Sequence, residues 1–380
     1  MLDTDSISKV VYITDLHAGG RNDAKWLVKA QEEFYTKQLF PYMIANNIKN
    51  IWCLGDLFDR RKFISFEILH AWKRFFFDPL RALGFHMEII PGNHDIRFVN
   101  TLDVCSLELL LREGYSDCIT IYDKPTEVSY NGGAYKVAWI PWVTPDAVQT
   151  TLDFFANTSA KHVNGHFDIM GVEMQRNQFS THGFDADTFK KFAKVRTGHY
   201  HKRSTQGNIT YVGSPTEYTW ADYADPKGFM VFDIAADREE FVDNTSTIFA
   251  QYHYNPLDTQ DKIRAHLNGK IAKVFVSEES RKDKRKYEKF LDFVGSLDTI
   301  DFNVIELTKD IVLLNDDGTE NESAKASLDT KEIIADYIKE ADIPDHLDRD
   351  RLRELVQSLY VETVHRLEHG EGATEFDAKT

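Results

Sequence analysis

A chain of 380 residues with 42% apolar side chains and a formal net charge of −16 can build a large core, which excludes a disordered or peptide-sized module and points to a main domain with smaller appendages. No run of about 18 apolar residues occurs, which excludes a helical membrane anchor. Residues 316–380 hold 18 acidic and 8 basic side chains, a net of −10, so the first 315 carry only −6 and a polyanionic substrate is not excluded.

In chain order, Met1–Lys9 is polar and lacks the apolar stretch of a secretory signal. The first predicted strand, Val10–Thr14, runs into Asp15-Leu16-His17 and the loop Ala18-Gly19-Gly20. A helix follows from about Asp23 to Asn46, with Trp26, Leu27, Ala30, Phe34 and Leu39 at helical spacing. The second strand, Ile51–Leu54, ends at Gly55-Asp56-Leu57-Phe58-Asp59. The helix after it, Ser65–Leu83, is rich in aromatic residues (Phe66, Trp72, Phe75, Phe76), and its all-round apolarity leaves room for a dimer interface beside core packing. The third strand, Phe85–Ile90, meets Pro91-Gly92-Asn93-His94-Asp95: proline ends the strand and glycine permits a close approach to the backbone. A leucine-rich helix spans about Asp103–Arg112.

The middle of the chain turns antiparallel. Glu127–Tyr130 and Tyr135–Trp139 flank Asn131-Gly132-Gly133, a hairpin signal. Thr144-Pro145-Asp146 opens a helix. Lys161–Asn164 runs into Gly165-His166, and Lys194–Thr197 into Gly198-His199-Tyr200-His201. A second hairpin spans Thr205–Val212 and one more strand Phe229–Ile234. Alternating strands and helices followed by strands fit a two-sheet α/β sandwich flanked by helices. Beyond Pro256, strands Ile271–Val276 and Phe302–Leu307 around the charged helix Arg281–Val294 form a small α+β unit. The polar stretch from Asn315 is a linker, and two amphipathic helices follow it. The predicted divisions are therefore a main domain (1–255), a capping domain (256–314), a linker (315–327), a helical hairpin (328–369) and a tail (370–380).

Five runs ending in Asp, Asn or His decide the functional reading. Groups at the carboxyl ends of strands in an open α/β sheet converge on one crevice. Carboxylate, amide and imidazole donors together suit a pair of divalent cations. Asn93 offers a neutral oxygen, His94 can carry a proton near neutral pH, and Asp95 is placed to fix its tautomer.

The order Asp-x-His, Gly-Asp-x-x-Asp, Gly-Asn-His-Asp, Gly-His, Gly-His-x-His resembles the calcineurin-like metallophosphoesterases. Gly55-Asp56-Leu57-Phe58-Asp59, the terminal Asp95, Gly213-Ser214-Pro215 and Lys227-Gly228-Phe229 are similar to the SbcD-type exonuclease subunit of the double-strand-break repair nuclease–ATPase complex, in a bacteriophage version. The resemblance is strong over residues 1 to about 250; beyond, only the order of parts matches. It implies that Asp15, His17, Asp56 and His201 hold one metal, and that Asp56, Asn93, His166 and His199 hold the second. It implies Mn²⁺, with Mg²⁺ the other candidate. His94, oriented by Asp95, is left to protonate the leaving oxygen. The implied activity is 3′–5′ double-strand exonuclease and single-strand endonuclease on DNA. The implied partners are a second copy of the chain and an SMC-like coiled-coil ATPase (SbcC-type) engaged through residues 328–369. The other reading is a different calcineurin-like phosphoesterase, a protein phosphatase or nucleotide phosphodiesterase. Protein phosphatases, however, usually end the third motif with glutamate.

Asp59 departs from many cellular relatives, which carry histidine there, and is placed around the ligands rather than among them. His162 and His182 read as structural or solvated, and His70, His86, His253 and His365 have no partner pattern. Arg60, Arg61, Lys62 and the run Arg281–Lys286 leave two readings open, a DNA backbone contact or a solvated surface. Three scattered cysteines, Cys53, Cys105 and Cys118, point to a reducing compartment, the cytoplasm of the cell, or of the host if the chain is a phage protein.

Overall fold

The computed structural model describes residues 7–175 and 178–307; the linker and the helical hairpin expected beyond residue 314 lie outside the described residues. Strands follow the alternating patterns of the sequence. They are β1 (Lys9–Ile13), β2 (Asn50–Cys53), β3 (His86–Ile89), β4 (Ile119–Ile121), and the hairpin of β5 (Thr126–Tyr130) and β6 (Tyr135–Ile140). After β7 (His162–His166) comes a short pair, β8 (Glu173–Gln175) and β9 (Gln178–Phe179). Then follow β10 (Lys194–Gly198), β11 (Ser204–Gln206), β12 (Ile209–Tyr211), β13 (Gly228–Asp233) and β14 (Arg238–Asp243).

Two six-stranded sheets result, in the orders β14-β13-β1-β2-β3-β4 and β11-β12-β10-β7-β6-β5. Side chains alternate across each strand, and the layers follow from that. Val10 and Tyr12 of β1 point between the sheets, with Trp52, Ile90, Tyr130, Val137, Trp139 and Phe232. Val11 and Ile13 point outward, under the helices that carry Phe34, Tyr35, Trp72 and Phe76. The second sheet repeats the scheme: Val163, Val195 and Tyr211 lie beneath Phe155, Phe167 and Phe189. The inner layer is pinned by polar bonds. The buried carboxylate of Glu88 accepts from Trp52 Nε1, Tyr122 Oη and Tyr130 Oη, each at 2.6 Å. The Tyr12 hydroxyl donates to Asn164 Oδ1 at 3.0 Å, from one sheet to the other. An unmatched buried donor or acceptor is costly, so these pairs favour one register.

Two helices needed more than periodicity to predict. Each contains a widened π turn, Tyr35–Leu39 between Lys25–Phe34 and Phe40–Ala45, and Lys73–Phe77 between Phe66–Trp72 and Asp78–Ala82. Pro41 and Pro79 stand just beyond the wide turns. A proline has no N–H to give and its ring crowds the carbonyl four residues back, which a widened turn relieves. The wide turns pack on one another, with the Tyr35 ring 4.7 Å from Phe76 and 6.2 Å from Phe75. This corrects the reason given for a dimer interface: Trp72, Phe75, Phe76, Phe77 and Leu80 are all buried within the chain itself. The large apolar side chains left outside include Phe66 (89% exposed) and Leu109 (73% exposed).

The leucine-rich helix begins later than its pattern indicates, at Ser106–Tyr115. Strands Ile271–Ser277 and Asp301–Leu307 and the helix Lys284–Gly295 are present. A strand, Phe249–His253, and a helix, Gln260–Leu267, precede them. The described residues divide into two compact units, one of 7–252, 259–273 and 293–302, the other of 253–258, 274–292 and 303–307. In the second, Tyr254 packs 4.3 Å from Phe290 and 5.6 Å from Tyr287. All three cysteines are buried and unpaired. Among the described residues no helix is long and apolar enough to cross a membrane.

Candidate metal centre

The strand registers bring three motifs level in one sheet and the other two level in the second sheet. Ile13 pairs with Cys53 and Cys53 with Ile89 in parallel register, so the first three motifs leave adjacent strand ends. In the other sheet Gly198 lies opposite His166. The loops continue the ladder beyond the strands: Asp15 N–H donates to the Gly55 carbonyl at 3.0 Å, and Leu16 and His17 N–H both donate to that of Asp56, at 2.8 and 3.0 Å.

This packing forces unusual backbone. Asp15, His17, Asp56 and His199 all have positive φ, at 53°, 46°, 52° and 93°. Non-glycine residues pay for that conformation in steric strain, and such strain collects where side chains must be aimed. Gly92 allows a close approach within the site: a Cβ there would meet Asp56 Oδ1 at 2.1 Å.

Among the described residues three groups of donors come within reach of one another, and one of them is His17, Asp56 and His94. The expected ligands make up the other two. In one, ligand atoms of Asp15, His17 and His201 gather within 4.8 Å of one another, with His17 Nε2 and His201 Nε2 3.0 Å apart. In the other, Asp56, His166 and His199 gather likewise. Asn93 Oδ1 lies 3.0 Å from both His166 Nε2 and His199 Nδ1. Asp56 joins the groups, its Oδ2 being 3.3 Å from His166 Nε2 and 4.0 Å from His17 Nε2. Asp15, His17, Asp56, Asn93 and His166 are buried. The His166 ring makes the need for a cation plain. Its Nδ1 donates to the Leu54 carbonyl at 2.7 Å, so in the neutral ring Nε2 is a lone pair facing two oxygens. A lone pair so placed is repelled unless a proton or a metal ion lies between.

The electrostatics express the same conflict. Burial works against charge on His166, yet Asp56 and Asp15 overcome it and raise the imidazole to about 9. Burial also opposes charge on His17, and Asp59, Asp56 and Asp15 together raise it to about 9. Burial and then His17 push His201 down to about 3. Asp56 is penalised by burial, but His166, His94 and His17 outweigh that and hold it well below the usual carboxylate range.

All nine residues expected at the site meet here, but one role changes. Asp95 does not orient His94. Its carboxylate accepts from the backbone N–H groups of Gly92, Phe58 and Leu57, at 2.9, 3.0 and 3.3 Å, so it clamps the second motif to the third. The imidazole of His94 is held instead by a main-chain group, donating from Nδ1 to the Asp59 carbonyl at 2.5 Å. Asp59 also sets its carboxylate 3.4 Å from His17 Nδ1. Sequence reasoning missed Trp142, whose ring lies 5.1 Å from His199 and 5.9 Å from His166; no motif marks it. His162 packs on Tyr135 at 4.3 Å, and His182 pairs with Asp168, both apart from the site residues.

Residues 8–203 match the calcineurin-like phosphoesterase family. Over 362 residues, 94% of this chain and 99% of the relative, the sequence is 30% identical to exonuclease subunit 1 of Enterobacteria phage T4. The solved structure of an archaeal phosphodiesterase aligns with 62% of this chain and 99% of its own, with 12% identity and a TM-score of 0.33, and at that distance it adds nothing to the assignment. With five motifs in order, two donor groups joined at Asp56 and these matches, the chain belongs to the calcineurin-like phosphoesterase family.

Proposed function

We propose that this chain is a two-metal DNA nuclease, the nuclease subunit of a complex that processes DNA ends. The observation that carries the reading is the meeting of two donor groups at one shared carboxylate, Asp56. Asp15, His17, Asp56 and His201 would hold one divalent cation, and Asp56, Asn93, His166 and His199 the other. Mixed oxygen and imidazole donors suit Mn²⁺, with Mg²⁺ as the alternative. Such a pair supplies Lewis acidity toward a phosphodiester and a more acidic water.

The protein's own work is positioning and proton transfer. With Nδ1–H given to the Asp59 carbonyl, His94 exchanges its other proton at Nε2, the atom that serves the leaving oxygen. Asp95 keeps the loops of Asp56 and His94 in register. Exonuclease action as one subunit of a complex rests on the likeness to the phage exonuclease subunit. DNA as substrate, 3′–5′ action on duplexes, endonuclease action on single strands and work in the host cytoplasm rest on the resemblance of the motifs to the SbcD-type subunit. So does a coiled-coil ATPase partner of the SbcC type, bound through residues 328–369. A dimer would use the surface around Phe66 and Leu109.

The test is cleavage of end-labelled duplex and single-stranded DNA with Mn²⁺, Mg²⁺ or a chelator, beside hydrolysis of bis-p-nitrophenyl phosphate. Release of nucleotides from 3′ ends only with a divalent cation is expected. Hydrolysis of the small ester or of cyclic nucleotides without DNA cleavage would replace this reading by a nucleotide phosphodiesterase. A chain ending before Ser327 should keep single-strand cleavage and lose capture of the ATPase; capture at full affinity would remove that role from the C-terminal segment.

A further inference from the structure

Residues 218–227 contribute no ligand to the centre, yet they reach behind one half of it. Lys227 is buried, with its side chain 4% exposed, and a buried ammonium is tolerated only when each proton finds a partner. Its Nζ donates to the His201 carbonyl at 2.8 Å, to Asp222 Oδ1 at 2.7 Å and to Asp225 Oδ2 at 2.8 Å. The other oxygen of Asp222 accepts from the backbone N–H groups of Tyr218 and Thr219, both at 2.9 Å. Tyr218 closes the chain of contacts. Its hydroxyl lies 2.7 Å from the Asp15 carbonyl and 2.9 Å from that of Leu16, and Gln31 Nε2 donates to the latter as well, at 2.7 Å. The Tyr218 ring stands against His17 and His201, at 5.4 and 5.2 Å.

One connected network thus holds Asp15, His17 and His201 from behind. His166 is oriented by a different group, the Leu54 carbonyl. His199 meets the Asp15 carboxylate with its backbone N–H, at 3.1 Å from both oxygens, while its ring lies against Trp142, outside residues 218–227. Taking the two-cation reading above as given, we infer that Tyr218 and Lys227 are positioning residues for one metal position only, that of Asp15, His17 and His201. The two positions are then unequal by construction. Groups behind the ligands fix ligand orientation, and their loss costs about 10- to 100-fold in metal affinity. Here that loss falls on one position. The strained backbone of Asp15 and His17 is what the network must hold.

The experiment is a Mn²⁺ titration of the metal-free full chain, with free ion read by electron paramagnetic resonance and bound ion by elemental analysis. Wild type, Tyr218→Phe, Lys227→Met and His199→Gln are compared. Tyr218→Phe removes one oxygen and keeps the ring, so it carries the test even where Lys227→Met, which strands Asp222 and Asp225, does not fold. The expected result for Tyr218→Phe is one binding constant weakened about ten-fold and the other unchanged, with cleavage restored at saturating Mn²⁺. His199→Gln should weaken the constant that Tyr218→Phe spares, and the double variant should weaken both. Equal weakening of both constants by Tyr218→Phe, or of neither, overturns the inference. A wild-type chain that takes up fewer than two ions overturns the two-cation reading itself, before any variant is compared.

Discussion

His94 donates its Nδ1 proton to the main-chain carbonyl of Asp59, at 2.5 Å, while the carboxylate of the same Asp59 lies 3.4 Å from Nδ1 of His17. One residue therefore serves a candidate proton donor with its backbone and a candidate metal ligand with its side chain. Substitution can separate the two services, because it changes the carboxylate and leaves the carbonyl.

Asp59→Ala should lower metal affinity about 10- to 100-fold, as expected for losing the carboxylate behind a ligating histidine. At saturating Mn²⁺ its kcat should return to within a few-fold of wild type, since His94 keeps its acceptor. A kcat that stays low at every metal concentration would show that Asp59 acts on substrate instead.

His94→Gln should reverse that pattern. Loss of a general acid costs about 10²- to 10⁴-fold in rate. Both metals should remain bound, because neither expected ligand set includes this ring, although it lies within reach of His17 and Asp56. His201→Gln should reduce metal content and activity together. Metal loss in His94→Gln as large as in His201→Gln would make His94 a ligand.

The metal-free chain should lose stability as the pH rises. His17 and His166 stand near 9 in the fold against an ordinary value of about 6.5. Their contribution is therefore complete below about pH 6.5 and disappears as pH passes through about 9. Melting temperatures measured in chelator between pH 6 and 9.5 should fall across that window. With Mn²⁺ present the fall should be smaller and metal affinity should rise with pH, because the ion replaces the protons. A flat melting profile in chelator would refute the charged histidines.

Gly92→Ala places a methyl 2.1 Å from Asp56 Oδ1 and 2.5 Å from its amide nitrogen. Asp56 must move, and as the shared carboxylate it would take both metal positions with it. A destabilisation of about 1–3 kcal/mol is expected from overpacking, together with loss of both bound ions in elemental analysis. Retention of two ions would mean that Asp56 is not shared.

Asp95→Ala leaves three buried backbone N–H groups without an acceptor. At about 1–3 kcal/mol for each unsatisfied group, chemical denaturation should show a loss of about 3 kcal/mol or more. Asp95→Asn retains an oxygen and should cost much less. Equal losses for the two would point to the charge rather than the hydrogen bonds.

The sequence by itself determined the strand ends, the order of the motifs and the nine residues that meet. Each motif is a local pattern: an apolar run, a glycine or turn, then a donor. Continuous apolar runs such as Val10–Ile13 and Val137–Ile140 mark strands buried on both faces. Parallel pairing of β1, β2 and β3 then sets their ends side by side. What tertiary structure alone decided are the bonds to backbone atoms. The carbonyls of Asp59, Leu54 and His201 are chemically those of any residue, so no residue type announces that they hold His94, His166 or Lys227. Asp95 misled for the same reason, since its acceptor oxygens found N–H groups of Leu57 and Phe58, 38 and 37 positions away, instead of its neighbour's ring. Tyr218 reaches Asp15 across 203 positions, a separation over which spacing carries no information. The left-handed backbone at Asp15, His17, Asp56 and His199 is likewise a tertiary result: the local preference of these residues is against it, and only the surrounding packing imposes it.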